Sequence, residues 1–182
     1  MRSIYSKILK NTLASTIIGG SLLFTTGQAI AADTYVIDSV HSHAEFKIKH
    51  LNIGYQYGRF NDIEGTVIFD DKNPTQSKVD ITIKTASVDT KNAKRDEHLR
   101  SPDFFNAKQF PNLSFKSSQI KKLSANSYQV TGTLNLHGVS KAVSFNFEKT
   151  GEGKDPWGKY RMGGETNFSI NRTDYGINFM PD

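Results

Sequence analysis

Along residues 41–51 polar and apolar side chains alternate. Ser42, Ala44, Phe46, Ile48 and His50 fall on one side, and His41, His43, Glu45, Lys47 and Lys49 on the other. A side-chain period of two is the period of a β-strand, so this segment reads as a strand with one apolar and one wet face. The pattern returns over residues 79–84, 128–136 and 143–147. Many two-faced strands and one short helical stretch predict an all-β chain whose sheet closes on itself or packs on another.

The same reading places a short strand at 35–37 and a long one at 59–70, with Gly65 allowing a bend. Further strands are expected at 77–85, 113–116 and 160–170, and connections at 52–57, 136–141 and 151–158. Residues 171–179 read as a turn and the start of another strand. Residues 92–105 break the alternation and are dense in charge. Their first half suits one or two helical turns, with Pro102 beginning or breaking a turn. An insertion of this kind, followed by Phe104, Phe105 and Phe110, is the natural cover for one mouth of a barrel.

Residues 1–31 read as a secretory signal peptide and 32–182 as one domain. Arg2, Lys7 and Lys10 precede a short apolar run, and Ala29-Ile30-Ala31 offers small residues at a cleavage site. The run is short for a membrane span. The chain has no Cys, which removes both a lipid-anchored N-terminus and any disulfide. The expected location is therefore the periplasm. Of 23 basic residues three lie in the leader, against 18 acidic residues all beyond it, so the mature balance is 20 − 18 = +2. No Lys/Arg run stands out, and a nucleic-acid partner has little electrostatic support.

No nucleophile elbow, His-Glu-x-x-His or phosphate-cradling glycine loop occurs, and Asp96/Glu97 and Asp70/Asp71 read as solvated charge. An enzyme is not expected. His41 and His43 lie two apart and could share a metal with His98, which stands as an alternative reading. A ligand-free stress-response domain with a solid core is another. The strongest positive signal is the set of apolar faces: Phe46, Ile48, Val67, Phe69, Ile81, Ile83, Phe115, Leu134, Leu136, Phe145, Phe147, Phe168 and Ile170 would point inward. Pattern alone leaves a filled core and an elongated apolar cavity equally open. An outer-membrane barrel is disfavoured, because the opposite face carries Glu45, Lys47, Lys49, Asp80 and Lys84. A Lys at the bilayer midplane costs roughly 2–4 kcal/mol.

Several ordered motifs resemble the YceI-like family. They are residues 38–46 (Asp-Ser-Val-His-Ser-His-Ala-Glu-Phe), His50-Leu51, Gly58-Arg59-Phe60, Glu64-Gly65, and 95–105 with Phe110-Pro111. The segments 132–141 and 170–177 complete the set, which covers nearly all of the chain beyond the leader. The resemblance implies an extended antiparallel lipocalin-like β-barrel with a short helical insertion. It also implies a long isoprenoid or other amphiphilic lipid in the lumen, and no cofactor. The ligand-lining set is then Phe46, Ile48, His50, Phe60, Val67, Ile81, Ile83, Phe104, Phe105, Phe115, Leu134, Leu136, Phe145, Phe147, Phe168 and Ile170. His50, Arg59 or Arg172 would meet the head group. The family pattern continues past residue 177 into a further strand, whereas this chain stops at Asp182. The expectation is either a fragment or a barrel lacking its last strand, whose open seam invites a homodimer.

Overall fold

The computed structural model describes residues 32–180. The expected leader and its cleavage site lie outside the described residues. Ten strands and one helix follow in order: β1 Asp33–Val36, β2 Ala44–His50, β3 Gly54–Phe60, β4 Ile63–Phe69, β5 Lys78–Lys84, β6 Val88–Asp89, α1 Ala93–Arg100, β7 Asn112–Lys122, β8 Ser127–Leu136, β9 Val139–Lys154 and β10 Tyr160–Thr166. The strands pair antiparallel in the orders β1-β4-β5-β7-β8-β9-β10 and β2-β3-β6. They form a nearly closed, lipocalin-like barrel.

The long sheet curls until its two edge strands meet. Tyr35 of β1 and Met162 of β10 pack on the same apolar cluster, and Arg161 Nη1 lies 2.7 Å from Asp38 Oδ2 just beyond β1. The β8–β9 connection is tighter than expected. It needs only His137 and Gly138, with φ of 53° and 76°, the paired left-handed geometry that matches strand twist. A Cβ at Gly138 would sit 2.5 Å from the Phe110 ring. Gly65 is demanded by close approach: a Cβ there would meet the Asp80 carbonyl oxygen at 2.2 Å.

Several boundaries differ from the sequence reading. The first strong alternation yields strand only from Ala44, because Asp38 folds residues 38–41 into a turn. Its Oδ1 accepts the Val40 N–H at 3.1 Å and its carbonyl the His41 N–H at 3.1 Å. The expected connection 52–57 shrinks to a turn at 51–53, and β3 occupies the rest. Gln56 and Gly58 conceal its alternation with Tyr55 and Tyr57. The expected strand 59–70 is broken at Asn61-Asp62, whose N–H groups donate to the Ser87 carbonyl and Oγ, both at 3.1 Å. In contrast, β9 runs through Gly151 and Gly153 to Lys154, where a loop was expected. The strand expected at 160–170 ends at Thr166, and after residue 170 a 3-10 turn, Arg172–Tyr175, precedes no further strand among the described residues.

Candidate functional site

The inward face divides into a sealed part and an open part. At the sealed end Phe69, Ile120, Tyr128 and Val130 are buried, with Phe115 above them. Val67, Leu134, Phe145 and Phe147 are half-buried against that cluster. Tyr128 Oη donates to Asp71 Oδ1, which also receives Lys122 Nζ at 2.6 Å. Burial first, then the bond to Asp71, pushes the Tyr128 phenol well above its ordinary range. The Lys122 and Tyr128 bonds hold the Asp71 carboxyl below the usual carboxylate range.

Moving along the lumen, the aromatic contacts run from buried to open. Phe115 meets Phe145 at 5.1 Å, and Phe145 stacks on Phe168 at 4.6 Å with 13° between ring planes. Phe168 and Ile170, both expected inside, are each 40% exposed. They lie beyond the end of β10, where the paired register with β9 has stopped. On the facing walls Ile48, Ile81 and Ile83 are half-buried. His50, also expected inward, is exposed at the last position of β2, beside the turn at 51–53.

The insertion closes this region from one side. Phe105 packs against Phe46 at 6.1 Å and Phe60 at 5.3 Å, while Phe46 and Phe60 lie 5.7 Å apart. Phe104 and Phe105 also border a second cluster of Leu136, Tyr175 and Ile177. The helix behind them has almost no apolar face and is held by polar contacts instead. Asn92 Oδ1 caps the Arg95 N–H at 3.0 Å. Asp96, read from sequence as solvated charge, is buried; it accepts the Thr90 N–H at 2.8 Å and the Thr90 hydroxyl at 2.5 Å. Arg95 donates to Thr90 Oγ1 at 2.7 Å, and Arg100 to the Ala86 and Val88 carbonyls at 2.8 and 3.0 Å. These charges hold the helix in place over Phe104 and Phe105.

The expected head-group and metal candidates have local partners. Arg172 donates to the carbonyls of Ile177, Phe179 and Met180, bracing the C-terminal turn instead of facing the lumen. Arg59 lies 3.7 Å from Asp89. His41 Nδ1 sits 3.0 Å from Asp38 and His98 Nε2 2.8 Å from Asp103, with the His98 ring between Phe104 and Phe179. Among the described residues no three His, Asp or Glu side chains gather to hold a metal.

Sequence reasoning missed Tyr175 and Ile177, 2% and 3% exposed, which plug the end near Leu136. Tyr175 ends the 3-10 turn Arg172–Tyr175 and Ile177 follows it, where alternation carries no signal. His137 anchors them through the Tyr175 carbonyl, 3.0 Å from its Nδ1. Tyr128 and Val130 were accessible by parity, since they share a face with Leu134 and Leu136. An open groove of about 440 Å³ across β7–β9 lies on the outer face, lined by Ser114, Lys116, Thr133 and Ser140, and lacks the apolar lining of the lumen.

With this geometry in view, comparison with known proteins is decisive for the family. The YceI-like domain model matches residues 35–181. The chain belongs to the YceI-like family. A UPF0312 protein of Pseudomonas aeruginosa (strain LESB58) is 49% identical over 172 residues, 93% of this chain and 88% of the relative. One from Yersinia pestis (strain Pestoides F) is 49% identical over 160 residues, 87% and 82% of the two chains. The crystal structure of a Campylobacter jejuni YceI protein superposes with a TM-score of 0.64 at 39% identity, covering 78% of this chain and 83% of that one. Burkholderia cenocepacia BcnA gives 0.60 at 27%, covering 64% and 73%. In this YceI-like chain the motif around Arg95, Asp96 and Arg100 is accounted for by the latch just described.

Proposed function

We propose that this chain binds a long isoprenoid or similar amphiphile along its inner apolar face and carries or sequesters it in the periplasm, without catalysing a reaction. The observation that carries this reading is the open part of the inner face. Phe46, Ile48, Ile81 and Phe145 remain half-buried and Phe168 stays exposed, although all belong to the apolar side. A barrel filled by its own side chains would bury them. Covering such a surface with hydrocarbon is worth roughly 0.8 kcal/mol per CH2, so one five-carbon isoprene unit supplies about 3–4 kcal/mol before binding costs. Periplasmic location is supported by the basic start, the apolar run and the Ala-x-Ala site of residues 1–31.

Native mass spectrometry of protein isolated from its own cells, followed by organic extraction, tests the reading. The expected result is a bound apolar species of defined mass that is lost in Phe145→Asp while the fold persists. A clean apo mass, with no uptake of added polyprenyl compound, would overturn it.

A further inference from the structure

We propose that the tip of the β2–β3 hairpin docks on the surface of an anionic lipid bilayer. The tip is apolar and presented to solvent: Ile53 is 89% exposed and Leu51 56%. Leu51 and Asn52 hold φ of 51° and 54°, a left-handed turn that non-glycine residues adopt rarely. Behind the tip, Tyr55 and Tyr57 are 60% and 59% exposed on the outer face, in register with Lys49 and Lys47. Lys47 Nζ lies 3.9 Å above the Tyr55 ring, meeting an aromatic rather than a carboxylate. From Phe46 to Phe60 the chain contains Lys47, Lys49 and Arg59 and neither Asp nor Glu.

The order along the hairpin matches the order of layers at a membrane surface. Aliphatic side chains lead, tyrosine rings with polar ends follow at head-group depth, and lysine ammoniums stand where lipid phosphates lie. The charge complement is therefore an anionic lipid. A second copy fits less well, since a two-fold contact would bring Lys47 and Lys49 against themselves. The other prominent aromatic turn differs in charge. Trp157 is 82% exposed, but beside it Asp155 accepts the Trp157 and Lys159 N–H groups and pairs with Arg161.

This inference goes beyond ligand binding in the lumen, and its test contains no isoprenoid, so the two readings fail separately. Every described strand and both core clusters lie beyond residue 32, within a compact unit, so the chain beginning at Ala32 carries the fold without the apolar leader. That protein is mixed with phosphatidylethanolamine–phosphatidylglycerol vesicles and, separately, with phosphatidylcholine vesicles, and binding is read by flotation. Trp157 is the chain's single tryptophan. An Ile53→Trp variant in a Trp157→Phe background therefore reports depth at the tip, and the natural chain reports depth at the other turn. The expected result is salt-sensitive binding to the anionic vesicles, with a blue shift from the tryptophan at 53 and none from Trp157. Binding should fall by roughly tenfold or more in Lys47→Glu/Lys49→Glu. No flotation, equal binding to both vesicle types, a blue shift confined to Trp157, or self-association that buries position 53 without vesicle binding would each overturn the proposal. Position 53 is almost fully exposed, so its substitution leaves the core untouched.

Discussion

The two parts of the inner face are built from the same residue types in the same alternation, yet one is sealed and the other open. Around Tyr128, three strands (β4, β7 and β8) supply Phe69, Ile120 and Val130, and the Tyr128–Asp71–Lys122 bonds tie the end together. Phe168 lies past the end of β10, stacks on Phe145 and stays 40% exposed, while the Phe46–Phe60–Phe105 triad packs under the insertion. Apolar patterning therefore decides which way a side chain points. Whether it is buried depends on what the topology brings across from it. The sealed end holds the fold, and the open stretch is where we propose a ligand lies.

The largest expected effect comes from opening the sealed end. Phe69→Ala should cost about 3–5 kcal/mol in urea-unfolding stability, because a buried aromatic leaves a cavity the surrounding strands cannot fill. A loss under about 1 kcal/mol there would erase the distinction between the two parts. Next is the latch of the cover: Asp96→Asn weakens a buried charged acceptor and should cost about 1.5–3 kcal/mol. Hydrogen exchange should show α1 loosening before the long sheet does.

A smaller effect is expected from pH. Asp71 has a lowered folded-state pKa, so its contribution to stability is present above the unfolded value of about 3.9. It is lost as pH falls from there through the folded value. Tyr128 is raised, so its contribution is present below the unfolded value of about 10 and lost as pH climbs above it. Stability measured against pH should fall at both ends, and Asp71→Asn should flatten both slopes. The smallest stability effect belongs to the open stretch. Phe168→Ala should lower stability by about 1–2 kcal/mol, less than Phe69→Ala because 40% of the side chain is already exposed, while reducing retention of an apolar ligand.

Period-two alternation made β5, β8 and the middle of β9 legible from sequence. It failed where another interaction outweighed pattern. Asp38 folded His41 and His43 out of β2, and Ser87 broke β3 from β4 at Asn61-Asp62. Gly151 and Gly153, which suggest a loop by composition, are carried as strand by pairing with β10. For the site, parity gave direction but not cover, and nothing in it shows that Phe168 and Ile170 lie past the end of β10 and stay 40% exposed. The charged helix motif was visible, but its role as a latch depends on Thr90 and on carbonyls well separated in sequence, which no local pattern reveals.

The most direct test is photo-crosslinking with a diazirine-bearing polyprenyl probe, with labelled peptides located by mass spectrometry. The account predicts labels on β2, β5, the middle of β9 and residues 168–170, and none on Phe69, Ile120 or Tyr128. Labels confined to the outer face, or none with a folded protein, would contradict it.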